Sequence, residues 1–299
     1  MLRAFICCIL GLFLGQSLKA QERFITLEID NDLFFIKDYF YSSGIFLRTG
    51  KQLPSTSKDS LSHYRLWELG QEIYTPSDRF STNTNEYDYP YGGWTYITYA
   101  SQKELSATKQ LEYGLQLGIT GDISLARWMQ NTYHTTVLGL PENAWVDQVP
   151  NAVHLNIYAV YYNQYPLGDY FSLTTQFAGK LGTQRIDLSS RLGLNIGGKN
   201  LLGLGTNPLY KAKTGDGFYL GLRTGYVFHD YMLSGSLFND DAPFTAETVP
   251  FRVELEAGLT YNLPKWKLLF LYRHRSRDNQ LQKNEGHHLM TIGISRFFD

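Results

Sequence analysis

Strict alternation of apolar and polar residues is the clearest pattern in this chain, and it is most regular in residues 251–263. Every second position there is apolar: Phe251, Val253, Leu255, Ala257, Leu259, Tyr261 and Leu263. The positions between them are charged, small or polar: Arg252, Glu254, Glu256, Gly258, Thr260 and Asn262. Residues 111–120 repeat the pattern. A period of two with charge on one face is typical of a membrane β-barrel strand, with an apolar exterior and a polar interior.

The lengths of the connections between such segments predict the number of strands. In outer-membrane barrels short turns face the periplasm and long loops face the outside. Short connections fall near 53–62, 104–108, 164–169, 229–231 and 263–265, and long ones near 35–41, 77–91, 121–150, 183–215, 238–249 and 276–286. Five turns and six loops predict an all-β, twelve-stranded antiparallel transmembrane barrel with both chain ends in the periplasm. The apparent strand at 187–197 is then assigned to the fourth long loop.

The third long loop, residues 121–150, interrupts the alternation and predicts an amphipathic helix. Ser124 is the expected N-cap, and Gly139 is expected to end the helix. The predicted polar stripe contains Arg127, Gln130 and His134. The predicted apolar surface contains Leu125, Trp128, Met129 and Val137, and we expect it to pack on the outer barrel wall or in the lipid headgroup zone. Such a helix presents His134 near the outer rim.

The first twenty residues have the features of a secretory signal peptide: Arg3, an apolar run over 5–15 and the small residue Ala20. The run is too short for a membrane-spanning helix. Cys7 and Cys8 both lie in it, so the expected mature chain, 21–299, contains no cysteine. Disulfides, thiolate metal sites and a cysteine nucleophile are thereby excluded. A lipoprotein modified at Cys8 is a less favoured alternative, since the apolar run continues past it. We expect one barrel domain over 21–299, located in the outer membrane of a Gram-negative cell.

Composition supports the membrane assignment. Aromatic residues make up 15% of the chain, which suits the aromatic girdles of outer-membrane barrels. Trp94 and Trp145 are expected to be anchors at the membrane interface. The formal net charge of −1 argues against nucleic acid as a partner.

Acidic and amide side chains gather at the end of the first predicted strand. Alternation directs Glu28, Asp30 and Asp32 to the lumen and Asn31 to the outer wall. Oxygen ligands of this kind suit Ca²⁺ better than Zn²⁺. Charged residues at a strand end are also ordinarily solvated, so this cluster alone is a weak signal.

A series of motifs along the mature chain resembles one known family. The motifs are Asn31-Asp32-Leu33-Phe34, then Asp38 to Gly44 with Ser42 where the family has Thr, Pro90-Tyr91-Gly92-Gly93-Trp94, Ser124 to His134, and a turn with Glu142, Trp145 and Gln148. Together they resemble the outer-membrane lipid A 3′-O-deacylases. One departure is Tyr89, where the family often has Arg; Arg79, Lys211 or Lys213 would have to supply any phosphate contact at that position.

The resemblance implies a calcium-dependent esterase that removes the 3′-linked acyl or acyloxyacyl chain from lipid A of lipopolysaccharide. It implies a site between the barrel wall and the loop helix. His134 would be the general base that activates water, and Glu142 would orient it. Asp32 would hold Ca²⁺, with Asn31 as a further ligand or an oxyanion donor. Ser42 would support the same cluster.

Two other functions remain open from the sequence. Ser42 or Ser43 with His134 would form the nucleophile and base of an outer-membrane phospholipase. A non-enzymatic barrel, acting as a pore or a surface-binding protein, is the second alternative. We expect the protein to be a monomer whichever function it has.

Overall fold

Twelve antiparallel strands close into a barrel in the computed structural model, which describes residues 23–35, 38–53, 61–197 and 215–298. In chain order the strands are β1 Arg23–Asn31, β2 Phe40–Gln52, β3 His63–Thr75, β4 Gly92–Ser106, β5 Lys109–Thr120, β6 Ala152–Pro166, β7 Phe171–Gly182, β8 Arg185–Gly197, β9 Gly215–Asp230, β10 Phe251–Asn262, β11 Trp266–Ser276 and β12 Gly286–Phe298. The first strand pairs with the last, from Arg23 opposite Phe298 to Asn31 opposite Met290. Closure leaves no open edge, and the predicted fold class and strand number are confirmed.

The two faces of the strands differ as the alternation predicts. In β10, Phe251, Leu255 and Leu259 are more than half exposed on the outside, whereas Glu254 and Glu256 are buried in the lumen. An apolar outer surface around a charged interior matches a wall that faces hydrocarbon. Among the described residues, neither helix of the chain is long and apolar enough to cross a membrane.

The assignment of two strands from the sequence was wrong. Residues 185–197 form β8, a full wall strand paired with β7 and β9, and not part of an outer loop. The expected short turn at 229–231 is instead the end of β9 and the start of a long connection to β10. The prediction assumed that every outer connection is long. The outer connection between β7 and β8 consists of only two residues, Thr183 and Gln184. The alternation within 187–197 indicated a strand correctly.

The third outer loop contains helix α1, Ala126–Tyr133, which continues as one π-helical turn over His134–Leu138. Gly139 ends it in a left-handed conformation with φ 67°, as predicted. The expected N-cap was wrong by one residue, since Leu125, with φ 63°, is the cap. Ser124 still contributes, because its Oγ accepts a hydrogen bond from the Ala126 amide at 3.4 Å.

Both ends of the lumen contain buried apolar clusters. At the end with the long loops, helix α2, Tyr231–Ser234, packs inside the mouth. Its cluster contains Phe40, Tyr41, Tyr74, Tyr89, Trp94, Tyr96, Val149, Tyr231, Met232, Leu233, Ala246 and Leu289. Phe24, Leu66, Ala100 and Phe297 form a cluster at the other end. Between them lies a cavity of about 470 Å³ whose lining includes Glu28 and Asp30, in the lumen as expected. The expectation was wrong for Asp32, which follows the end of β1 and lines a different cavity together with Asn31.

Some sequence predictions fall outside this description. The predicted signal peptide and residues Lys211 and Lys213 lie outside the described residues. The single-domain assignment of 21–299 stays a prediction.

Candidate active site between the barrel wall and a loop helix

Helix α1 lies against the outer surface of strands β3 and β4. The backbone carbonyl of Ser124 accepts hydrogen bonds from Gln71 at 2.8 Å and Thr95 at 2.7 Å, on the outward face of the two strands. Gly93 allows the close approach, because a Cβ there would lie 2.2 Å from the Cβ of Ala126. The glycine in the Pro-Tyr-Gly-Gly-Trp motif is therefore a docking position for the helix.

A histidine–carboxylate–arginine chain crosses the gap between helix and wall. His134 Nε2 lies 3.1 Å from Asp38 Oδ2, and the same oxygen accepts from Arg79 Nη1. The side chains of His134 and Asp38 are 5% and 12% exposed. Burial pushes the pKa of the Asp38 carboxyl upward, but the hydrogen bond and charge of His134, together with Arg79, outweigh it and lower the pKa. Asp38 is therefore held as a carboxylate facing the imidazole.

Two further side chains of the third loop hold this arrangement in place. Gln130 donates to Asp38 Oδ1 at 3.2 Å and accepts from Trp145 Nε1 at 2.9 Å. Trp145 stacks on Tyr91 with ring centroids 5.0 Å apart. The interface-anchor role expected for Trp145 and Trp94 was wrong, because both are buried, with 3% and 1% exposure.

A small cavity of about 70 Å³ lies beside the imidazole. Its polar lining is Asn31, Asp32, Asp38, Ser43, Gln130 and His134, and its apolar lining is Ile73, Met129, Tyr133 and Leu138. His134 Nδ1 is buried, and no described residue forms a hydrogen bond with it. If Nε2 carries the proton that Asp38 accepts, the Nδ1 lone pair is free to bind a reacting group. One half of the cavity thus suits a polar reacting group and the other an apolar chain.

Asp32 is the most deeply buried carboxyl of the cavity. Its Oδ2 accepts from the Tyr39 backbone amide at 2.9 Å. Burial, the largest influence, raises the pKa of Asp32 well above its usual value, and the neighbouring Asp38 charge adds to this. A cation at this place would favour the charged carboxylate.

The structure brings most of the predicted site residues together. Asn31, Asp32 and His134 line one cavity, as the resemblance implies. Ser42 is buried nearby, but its hydroxyl donates to the Ile73 carbonyl at 3.3 Å, and Ser43 lines the cavity instead.

Glu142 is not placed to orient His134. Its side chain is exposed and lines a separate groove of about 400 Å³ on the outer side of α1, together with Asp122 and Arg127. Asp38 occupies the position next to the imidazole that Glu142 was expected to take. The role expected for Glu142 came from the family resemblance, whereas Asp38 reaches the imidazole from another loop.

The side chains of the cavity offer few ligands for a cation. Among the described residues no group of three or more His, Cys, Asp or Glu side chains could hold a metal ion. The cavity still offers one buried carboxylate, Asp32, with the amide of Asn31 and the hydroxyl of Ser43. Ca²⁺ accepts neutral oxygens and water beside few carboxylates, at the cost of affinity. The residues present therefore fit a weak Ca²⁺ site and not a closed high-affinity one.

Sequence reasoning missed the roles of Asp38 and Gln130. Asp38 begins a quoted motif and Gln130 precedes Asn131 in another, but neither was given a role. Asn131 binds the return segment through two hydrogen bonds with the backbone of Asn143, at 3.0 and 3.3 Å. In the motif Gln-Asn-x-x-His, the Gln thus bonds to Asp38, the Asn holds the return segment of the loop, and the His lines the cavity.

The position where the family often has Arg is internal here. Tyr89 is 1% exposed and stacks in parallel with Tyr74 at 5.9 Å. Arg79, proposed as its substitute, is already paired with Asp38. In this chain Arg79 is therefore placed to balance the charge of Asp38.

Several solved structures are similar to this chain, and one of them shares its fold. LpxR from Salmonella typhimurium superposes with a TM-score of 0.75 at 16% identity, covering 92% of this chain and 100% of that chain. An outer membrane channel from Pseudomonas putida F1 has a TM-score of 0.46 at 12% identity, covering 96% and 98%. The translocator domain of the autotransporter NalP from Neisseria meningitidis has a TM-score of 0.45 at 10% identity, covering 98% and 96%. No curated protein shows significant similarity to the sequence.

A family match accounts for nearly the whole chain and confirms the resemblance drawn from the motifs. Residues 4–298 match the family described as "Outer membrane protein LpxR". The protein is thus an outer-membrane barrel, and the chain belongs to the LpxR family.

Proposed function

We propose that this protein is an outer-membrane esterase that removes the 3′-linked acyl or acyloxyacyl chain from lipid A of lipopolysaccharide. The observation that carries the proposal is the contact of His134 Nε2 with Asp38 at 3.1 Å, while no described residue forms a hydrogen bond with His134 Nδ1. His134 lines the same cavity as Asn31 and Asp32. The cavity lies on the outside of the wall, at the rim that bears the long loops. Membership of the LpxR family supports the assignment.

In the proposed reaction His134 acts as the general base. Asp38 accepts a hydrogen bond from Nε2–H and so fixes the tautomer in which Nδ1 binds a water molecule and takes its proton as the water oxygen attacks the ester carbonyl. The proton then passes from Nδ1 to the leaving alkoxide, and the products are a fatty acid and an alcohol. Arg79 keeps Asp38 ionised, and Gln130 prevents the carboxylate from rotating away.

Asp32, with Asn31 and Ser43, would hold Ca²⁺ in this proposal. The cation, when bound, supplies positive charge that polarises the ester carbonyl and stabilises the oxyanion. Asp32 is held for this role by the Tyr39 amide, and Asn31 is placed to add a neutral oxygen or an N–H donor to the same cavity. No role is assigned to Glu142, and Ser42 supports the rim through its bond to Ile73.

Mass spectrometry of lipid A from cells with and without the protein tests the proposal. Expression of the wild type should remove one acyl or acyloxyacyl unit, and a His134→Asn variant that is present in the membrane at the same level should leave lipid A intact. Glu142→Gln is a matched control that should retain activity, since Glu142 lies outside the cavity. Unchanged lipid A with the wild-type protein would contradict the proposal.

Ser43 supports a second candidate, an outer-membrane phospholipase with a serine nucleophile, because it lines the same cavity as His134. A serine-directed phosphonate distinguishes the two. Covalent labelling of the wild type that is lost in Ser43→Ala would establish the serine mechanism. Absence of labelling, with Ser43→Ala still active, would support attack by water.

A further inference from the structure

An uninterrupted apolar stripe runs along the loop helix, and three of its four residues are exposed. The stripe contains every fourth residue: Leu125, Met129, Tyr133 and Val137. Leu125, Tyr133 and Val137 are 58%, 41% and 42% exposed. The surface of α1 that contacts the protein is instead mainly polar, with Gln130, Asn131 and His134 buried. This is the reverse of a helix that covers a soluble protein core.

The direction of the stripe follows from the opposite side of the helix. Arg127, Asn131 and Thr135 form the opposite stripe, and Asn131 bonds to the backbone of Asn143 in the return segment. That segment is tied in turn to the second outer loop, where the Ala144 amide donates to the Arg79 carbonyl at 3.0 Å. The stripe of Arg127, Asn131 and Thr135 therefore faces the outer loops. The apolar stripe faces the other way, along the barrel wall toward the membrane.

The height of the helix follows from its contacts with the strands. Ser124 is bonded to Gln71 and Thr95. Two residues further along the same outward faces are Leu69 and Ile97, which are paired with each other and are 54% and 45% exposed. Two strand residues span roughly 7 Å. The lipid-facing surface of the wall thus begins directly beside the helix, and the stripe continues it.

We propose that the stripe is seated in the outer leaflet, at the boundary between headgroups and acyl chains, and that its partner is the lipid surface itself. Interfacial helices bury their apolar face about 5–10 Å into this boundary. The phenol of Tyr133 suits this depth, because aromatic rings with a polar group favour the interface. Met129 and Tyr133 also line the cavity beside His134, so lipid chains reach the cavity at this stripe. The seating of the helix does not depend on the proposed reaction.

Single-cysteine labelling tests the proposal, since Cys7 and Cys8 both fall in the predicted signal peptide. Leu125→Cys and Val137→Cys on the stripe, and Arg127→Cys and Thr135→Cys on the opposite side, would each carry one polarity-sensitive fluorophore. All four positions are exposed, which makes the pairs comparable. The labelled proteins are refolded into phosphatidylcholine vesicles that contain a nitroxide-labelled lipid, and folding is checked by the mobility shift on heating.

The stripe labels should emit at shorter wavelength and be quenched several-fold more by the nitroxide lipid than the control labels, because an interfacial helix buries its apolar face about 5–10 Å deep. Aqueous iodide should quench the control labels more. Equal lipid quenching at all four positions, or stronger iodide quenching of the stripe, would overturn the proposal. Because no outcome involves lipid A hydrolysis, a failure here is distinguishable from a failure of the proposed function.

Discussion

At the residue scale, the site depends on a carboxylate that comes from another loop than its histidine. Asp38 lies between β1 and β2 and His134 lies between β5 and β6, yet their side chains are 3.1 Å apart. The Asp38 carboxylate is held by three side chains of the second and third outer loops: Oδ2 faces His134 Nε2 and accepts from Arg79, and Oδ1 accepts from Gln130. Its removal should therefore affect the base more than the fold.

Asp38→Asn should lower the rate of lipid A deacylation by about 10²–10⁴-fold. The amide retains the shape of the side chain but no longer favours the tautomer in which Nδ1 is free. Purified variant and wild type are compared in the rate of fatty acid release, with folding verified by heat-modified mobility. A variant with the full wild-type rate would contradict the role of Asp38.

Arg79→Gln should shift the acid side of the pH–rate profile to higher pH. The pKa of Asp38 is lowered in the folded protein. Its ion pairs are therefore fully formed above the ordinary carboxyl pKa, and they are lost as the pH falls through the lowered pKa of the folded state. Without Arg79 one favourable partner is removed and burial raises the Asp38 pKa. Rates measured between roughly pH 3 and 8 would show the shift. Superimposable profiles would show that Arg79 does not control Asp38.

Ca²⁺ should stabilise the wild-type protein but not Asp32→Asn. A site with one carboxylate is expected to have a Kd of about 10⁻⁴–10⁻³ M. About 10 mM Ca²⁺ then adds roughly 1.4–2.7 kcal/mol to the free energy of unfolding. Urea unfolding of both proteins with Ca²⁺ or with a chelator measures the difference. Equal stabilisation of the variant would place the cation elsewhere.

The sequence allowed only part of this site to be predicted. Asn31, Asp32 and His134 were identified through motifs. Asp38 was not, because contacts between loops 96 positions apart (38 to 134) have no local pattern. The resemblance implied a role for Glu142, but the segment after Gly139 turns away to dock on the second outer loop.

At the element scale, the position of helix α1 is set by the absence of a side chain in the wall. Gly93 contacts Ala126 and Ser124 so closely that a methyl group requires the helix to move. The amphipathic helix itself was predictable from its periodicity. The packing of its polar side against the protein was not predictable, since periodicity defines two faces of a helix but does not say which one is buried.

Gly93→Ala should displace α1 from the wall and lower activity while the barrel remains folded. The overpacked contact is expected to cost about 1–3 kcal/mol. Gly225→Ala is a matched control, because a Cβ there would meet its nearest atom at 3.3 Å on a strand far from the site. Deacylation rates and protease sensitivity of the third loop are compared. Equal behaviour of the two variants would show that close docking of the helix is unnecessary.

At the scale of the whole molecule, alternation and connection lengths were sufficient for the number of strands. They did not give the correct positions of β8 and β9, because the outer connection at Thr183 and Gln184 has only two residues and outer connections were expected to be long. The filling of the lumen was not predicted either. Buried residues such as Met232 and Leu233 lie in a loop that folds back into the mouth, and no local pattern distinguishes such a loop from one extending into solvent.

The filled lumen predicts that the protein does not conduct ions. The cluster around α2 occupies the outer mouth, and Phe24, Leu66 and Phe297 pack together at the other end. Apolar side chains thus narrow the lumen at both ends of the charged cavity, and ions pass such side chains only at a large desolvation cost. In planar bilayers the purified protein should give no steady current under conditions in which a general porin does. Regular channel openings, unchanged in His134→Asn, would favour the pore function over the esterase.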